Sequence, residues 1–547
     1  MDRWMSPVRS VPTPPPALLR SLVVAVLAVA GVVLPGAVGA GASADEATTV
    51  VGRLVQAWPE APAGAPEADG PISWVQQADG DAVRIPTEDV DGVPTGTTLK
   101  LTVDPQDGGD AADPLNQVID SQVVAKAAVD PVLRNPAGLT NQVTVVRVAP
   151  DGVPPDGVTV QQLVDLVDGP VAGFWSEQSN GAIAVGVTAT GRDWVTPAAG
   201  CADPTAMWNE VAASVGFVPG PGRHLMLYVS RAATDCAYAL AEVGSSPATG
   251  GRLYVRDTTT SVVAHELGHN FGLGHSSEQQ CDRAVESASC RTAAYRDYYD
   301  VMGVSWAQLG SLNAAQAARL GVLPAAQQAS LTVGSGAATV PLAPLSGRSG
   351  TRALRLTDAR GVDYWLEYRA ATGRDAWLGT AADHHGLQAG VLLRRAGALP
   401  DTSLLLDGTP VAAAGWDGDL QSALPVGTPV PVAGGAFSVV VRSVGAAGAE
   451  VAVTPAPSVA AAAPAPRAAA PAPSVLPGSA DAPSATGDTA GFWAAPYEGV
   501  RAPGSAPALA SASESTDRGS LLMPLAGAAL AASVLMGVHT VRRRRRS

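Results

Sequence analysis

The chain has 547 residues, with 49 acidic against 35 basic side chains and a formal net charge of -14. That length is enough for two or three domains with cores of their own. The acidic balance, with a pI near 4.9, argues against nucleic acid as a partner, because the only strongly basic run is Arg542 to Arg546 at the far C-terminus.

In chain order, Arg3, Arg9 and Arg20 are followed by an apolar run from Leu22 to Leu34 and by small residues ending in Ala42-Ser43-Ala44. This order predicts a secretory signal peptide over residues 1–44, cleaved near Ala40 or Ala44, with an uncleaved signal anchor as the alternative. No twin arginine precedes the apolar core, so the general secretion route is favoured. Across residues 45–130, Gly, Pro and Asp separate short apolar pieces such as Val50 to Leu54, Ile72 to Val75 and Thr97 to Val103. They predict a β-rich N-terminal region, readable as a propeptide. Asp104, Asp107, Asp110 and Asp113 lack the spacing and terminal Glu of an EF-hand, so a solvated acidic loop is expected there.

Residues 140–325 read as a mixed α/β domain. Val143 to Val148 predicts a strand; Leu163, Val167, Val171, Phe174 and Trp175 recur at helical spacing with a kink at Pro170; Ile183, Val185 and Val187 alternate as a strand does. Asp203-Pro204 reads as N-cap and first residue of a helix carrying Trp208, Val211 and Val215. Further strands are expected over His224 to Ser230 and Arg252 to Val255, and a helix from Asn313 to Leu320. Four cysteines, Cys201, Cys236, Cys281 and Cys290, fall within this stretch. An even count in an exported chain suggests disulfides. Of three pairings, sequence proximity favours Cys281 with Cys290 and leaves Cys201 for Cys236.

Three of the seven histidines lie within eleven residues, in His265-Glu266-Leu267-Gly268-His269-Asn270-Phe271-Gly272-Leu273-Gly274-His275. His265 and His269 are four apart, one above the other on a helix beginning near Thr260 or Ser261, so both rings can face one ion. Gly272 can end the helix in the left-handed conformation and let the chain return His275 to the same ion. Three neutral nitrogens leave a fourth position of zinc open for water, and Glu266 can serve that water as general base without being a ligand.

These residues resemble the metzincin zinc metalloproteases, whose signature is HExxHxxGxxH followed by a methionine turn. Tyr299-Asp300-Val301-Met302-Gly303 resembles that turn, and the resemblance implies that Met302 lies under the zinc as an apolar floor. Residues 173–181 (GFWSEQSNG), the run Asn270 to Gly274 and Tyr364-Trp365-Leu366-Glu367-Tyr368-Arg369 look most like gametolysin-type (M11-like) or related secreted bacterial peptidases. Position 304 is Val, where some metzincins place a tyrosine as a further ligand. No cysteine precedes Cys201, which removes the cysteine switch by which some metzincin propeptides block the zinc. The resemblance implies a substrate cleft between an upper α/β lobe and a smaller lower lobe.

Residues 326–455 change to short β segments, including Ala338 to Leu342, Ala353 to Leu356, Tyr364 to Tyr368, Val391 to Leu393 and Phe437 to Val441, and predict a β-sandwich-like domain. The pair His384-His385 is expected in a solvated loop. Ala, Pro, Ser and Gly dominate residues 456–520, a stalk. Leu521 to Val541 is long and apolar enough for a transmembrane helix, and residues 542–547 form a basic tail that stays cytoplasmic. Sortase attachment is the alternative, although no LPxTG lies upstream.

The sequence therefore predicts an α/β (α+β) metzincin-like catalytic domain with flanking β-rich domains, a stalk and a single transmembrane helix. The expected activity is that of an exported, membrane-tethered zinc endopeptidase acting on protein or peptide substrates. His265, His269 and His275 would hold Zn2+, Glu266 would act on water, and a strand edge near Arg252 to Val255 would pair with the substrate. The rival is a catalytically silent surface adhesion or binding protein, from which loss of Glu266 or of a ligand would be expected.

Overall fold

The structure is a computed structural model that describes residues 47–457 apart from 62–69, 111–112, 128–137, 306–307 and 413–417. The expected signal peptide, nearly all of the stalk, the apolar span and the basic tail lie outside the described residues. Among those described, no helix is long and apolar enough to cross a membrane. The fold is mixed α/β, mostly sheet with few helices.

The N-terminal unit contains β1 (Thr48–Glu60), β2 (Ile72–Gln76), β3 (Ala82–Ile85), β4 (Thr98–Asp110) and β5 (Asp113–Ala125). In β1 burial alternates through Arg53, as in a strand with one solvated face, and then becomes continuous from Leu54 to Trp58. The change follows the pairing: Thr48 to Arg53 face β4, while Ala57 to Glu60 run on to another partner described below. Asp113, expected in a solvated acidic loop, is instead 5% exposed and accepts a hydrogen bond from the Trp74 indole at 3.0 Å. An indole N–H inside a core needs an acceptor, and Asp113 supplies it.

The next segment contains β6 (Asn141–Val148), α1 (Val160–Leu166), α2 (Ala172–Gln178), β7 (Val185–Thr190), α3 (Pro204–Val215), β8 (Arg223–Val229), β9 (Ala239–Glu242), β10 (Gly251–Val255) and α4 (Thr260–Asn270). A capping box at Thr159 and Gln162 starts α1. The expected kink at Pro170 is a π-turn over Val167–Val171, since proline offers no N–H to the ladder. Asp203 caps α3 by accepting from the Ala206 N–H.

Strands β10, β8, β6 and β7 run parallel, with β9 antiparallel beside β10 and β1 antiparallel beside β9. One ten-stranded sheet results, in the order β2-β3-β5-β4-β1-β9-β10-β8-β6-β7. The edge expected near Arg252 to Val255 is therefore corrected: β10 is interior, and the outward neighbour is β9. Short apolar strands look alike in sequence whether central or lateral, and only pairing separates them.

Beyond α4 come β11 (His275–Cys281), β12 (Cys290–Ala293), α5 (Ala314–Arg319), β13 (Gln328–Thr332), β14 (Ala338–Leu342), β15 (Ala353–Thr357), β16 (Asp363–Arg369), β17 (Gly390–Ala396), β18 (Asp401–Leu406), β19 (Val430–Val432), β20 (Phe437–Gly445) and β21 (Gly448–Pro455). A seven-stranded sheet orders β12-β11-β18-β17-β16-β15-β13, and a four-stranded sheet orders β14-β21-β20-β19. Leu354, Leu366 and Leu393 of the larger sheet and Phe437, Val439 and Val451 of the smaller one share a core. Strands β11 and β12, from within residues 140–325, thus belong to a sheet otherwise built by residues 326–455. His385 of the histidine pair stacks on Tyr298 at 4.1 Å.

Candidate metal centre

Helix α4 lies buried along its length from Ser261 to Asn270. Its end is fixed by a Schellman pattern: Gly272 adopts φ 98°, its N–H donates to His269 O at 2.8 Å, and the Leu273 N–H donates to Gly268 O at 3.0 Å. The reversal carries the chain into β11, whose first residue is His275.

His265, His269 and His275 converge, joined by Glu60 from the end of β1, and their donor atoms all lie within 4.8 Å of one another. His265 Nε2 is 3.1 Å from His269 Nε2. Glu60 Oε1 lies 3.3 Å from Nε2 of both His265 and His269 and 3.1 Å from that of His275. Zinc bonds of about 2.0–2.1 Å would separate tetrahedral donors by about 3.3 Å, which the His265–His269 pair and the three Glu60 contacts match, and the donor set fits zinc in chemistry. Ring orientation fits as well. His265 Nδ1 donates to Val301 O at 2.8 Å and His269 Nδ1 to Leu273 O at 2.9 Å, which leaves each Nε2 as the donor atom facing the centre.

Glu266 is fully buried, and neither of its carboxylate oxygens has a hydrogen-bond partner. Burial, and after it the nearby charge of Glu60, raises its pKa well above the usual carboxylate range. Leaving such a group unpaired costs about 1–3 kcal/mol or more, and it is tolerated where the group has chemistry to perform. Burial likewise pushes the His275 imidazole down to about 3, keeping it neutral and able to ligate. Glu60 is opposite in sense: burial favours its protonated form, but His265 and then His275 outweigh this and hold the carboxyl well below its ordinary value.

Met302 is buried against α4. A Cβ on Gly268 would meet Met302 Sδ at 2.4 Å, so the absence of a side chain there lets the methionine approach the helix beside His269. The turn is pinned by Asp300, which accepts from the N–H groups of Met302 at 2.9 Å and Asn313 at 2.7 Å. Tyr295 covers the other side, its ring 3.8 Å from that of His275. A pocket beside Glu60 and Glu266 is lined by Val262, Tyr295, Val301, Val304 and Ser305.

The residues that sequence reasoning missed lie far away in the chain. His275 N–H donates to Pro400 O at 2.8 Å, Gly274 N–H to Thr402 Oγ1 at 3.0 Å, and β11 runs parallel to β18 with His275 opposite Asp401. Beneath them, Arg394 joins Asp297 and Glu367, while Arg369 joins Glu367 and Asp375, all with side chains no more than 1% exposed. Ser276 Oγ donates to Asp297 at 2.6 Å and Glu367 accepts from the Ala314 N–H at 2.7 Å, so this network reaches the third histidine, the methionine turn and α5 together. Glu367 and Arg369 sit in a segment noted in sequence as a strand and for its resemblance, not for its charges. Glu60 carried no signal: a single acid at a strand end is ordinary until pairing places it.

Both expected disulfides are formed, Cys201 with Cys236 and Cys281 with Cys290. The second joins β11 to β12 across a directly opposed pair.

No curated protein matches the chain. Residues 208–306 match a reprolysin-type family model described as metallo-peptidase family M12, a span that runs from α3 through the metal helix to the methionine turn and takes in His265, Glu266, His269, His275 and Met302. In that span the chain is similar to a zinc-binding metallopeptidase, and the match supports a metalloprotease.

Proposed function

We propose that the protein is an exported, membrane-tethered zinc endopeptidase of the gametolysin-like kind. The observation that carries this reading is Glu266, a buried carboxylate without a partner for either oxygen, beside three histidine nitrogens turned toward one point. Bound zinc supplies a Lewis acid that polarises a peptide carbonyl and acidifies water. His265, His269 and His275 hold it, with two of the rings locked by their Nδ1 bonds to backbone. Glu266 accepts a proton at its carboxylate and returns it to the departing amine, a role for which both of its oxygens are free of other partners. The outward side of β9 offers backbone groups to an extended peptide, as it does now to β1. The pocket lined by Val262, Val301 and Val304 favours an apolar side chain next to the cleaved bond.

Zinc-loaded protein, with the N-terminal unit intact or cut, is incubated with a diverse peptide library and the products are sequenced, beside a Glu266→Ala control. Cleavage that depends on Glu266 and stops on chelation is the expected result. Cleavage by neither form would hand the site to the silent binding-protein reading. The tether has its own check: truncation after Ser520 should release the protein into the medium, and release of the untruncated chain would contradict it.

A further inference from the structure

Resting on the peptidase reading above, we propose that Glu60 is the fourth ligand of the metal in the full-length chain, and that β1 is an intramolecular inhibitor seated where an extended peptide would lie. A catalytic zinc site keeps one position for water, whereas a site with four protein donors is closed. Glu60 Oε1 sits at 3.1 to 3.3 Å from all three histidine nitrogens, on the side where Glu266 leaves its own oxygens unpartnered.

The backbone supports the placement. Ala57 to Glu60 pair antiparallel with Glu242 to Ala239 of β9, the Tyr238 N–H donates to Glu60 O at 2.8 Å, and the Val243 N–H donates to Gln56 O at 2.7 Å. Without β1, β9 would be a sheet edge, and this pairing is the way peptides are commonly held for recognition at such an edge. Trp58 stands edge-on to His275 at 4.4 Å and is 3% exposed, covering the third ligand, while Ala61 borders the apolar pocket beyond the metal. One short segment therefore fills the approach, the metal position and the pocket rim.

Its sequence suits a durable block. Pro59 has its φ fixed by its ring, and it holds the preceding Trp58 in extended conformation, so little freedom is lost on seating. The unit is anchored as well: Val55, Ala57 and Trp74 share a core with Trp208, Leu240 and Tyr254. Attachment makes ligation intramolecular, which lets a single carboxylate compete with water although it binds zinc less avidly than a thiolate would. With no cysteine before Cys201, the N-terminal unit has no thiolate to offer.

The test uses the full-length chain as wild type, Glu60→Ala and the shape-matched Glu60→Gln, with circular dichroism to confirm folding. Cobalt(II) replaces zinc as a spectroscopic probe and azide is the added ligand. Azide should leave the wild-type visible spectrum unchanged and shift that of both variants. Zinc affinity, measured by competition with a chromogenic chelator, should fall about tenfold or more in the variants, the scale seen when support around a metal is lost. Azide acting equally on all three proteins, or equal zinc affinity in all three, overturns the ligand assignment. Peptide cleavage gives a separate arm, read on all three proteins both intact and cut between β1 and β2 so that β1 can leave β9, and the cut forms should exceed intact wild type at least tenfold. If the spectra shift as stated and no form cleaves any peptide, Glu60 stands as a ligand while the inhibitor assignment and the peptidase reading fall.

Discussion

The two arms of the metal centre are built in different ways. On α4, His265 and His269 are brought together by one turn of a buried helix, and their rings are fixed by the backbone carbonyls of Val301 and Leu273. On β11, His275 is placed by a strand that belongs to another sheet, tied to Pro400, Thr402 and the Arg394 network. The helical pair is a local consequence of spacing, whereas the third donor depends on residues more than a hundred positions away. A bound ion would join the two, so distant changes in the C-terminal sheet should register at the metal.

The largest effect should come from the helical arm. His265→Ala or His269→Ala removes a donor that nothing nearby can replace, and metal analysis of the folded variants should find zinc lost. Full zinc occupancy in both would break the assignment of the helix as the primary arm.

Arg394→Ala should come next. Removing Arg394 leaves Asp297 a buried charge without its guanidinium and Glu367 with Arg369 alone, and breaking such a group costs about 3–5 kcal/mol. Denaturant unfolding in the absence of metal measures it, and zinc affinity should weaken in parallel because Asp297 also holds Ser276. Stability within about 1 kcal/mol of wild type, a surface-like value, would show that the network does not support the strand arm.

Glu266→Ala touches neither arm. Hydrolysis by protein freed of its N-terminal block should fall about a hundredfold or more, near 2.7 kcal/mol of barrier, while zinc content is kept. Zinc lost together with activity would mean that Glu266 supports the ligands rather than the reaction.

The smallest effect sharpens the comparison. Thr402→Val keeps the shape of the side chain but removes the acceptor of the Gly274 N–H, at about 1 to 3 kcal/mol for a buried donor left unpaired. Zinc affinity should drop about tenfold, as for other losses of support around a metal ligand. An unchanged affinity, read by chelator competition, would show that β11 holds His275 without help from β18.

Much of the catalytic segment was legible because its signals are local. The helical spacing of His265 and His269, the left-handed Gly272 and the N-cap at Asp203 each depend on a few neighbouring residues, and each is found as expected. The strands of residues 141–255 were legible as strands but not in their order, which is why β10 was taken for an edge although β8 and β9 flank it. Asp113 looked like one more exposed acid because its partner Trp74 is thirty-nine positions away.

The sequence by itself determined the donor types, their convergence on one helix and turn, and the adjacent carboxylate, since these follow from helix geometry and the conformational range of glycine. Only the tertiary structure decided what surrounds them. It brought the C-terminal sheet under His275, buried Glu367, Arg369 and Arg394 as the support of the methionine turn, and set Glu60 among the three histidines. The physical reason is that strand pairing and burial of charge are chosen by the whole chain at once: a lone acid or arginine carries no mark of its partner until the sheets that hold both have formed.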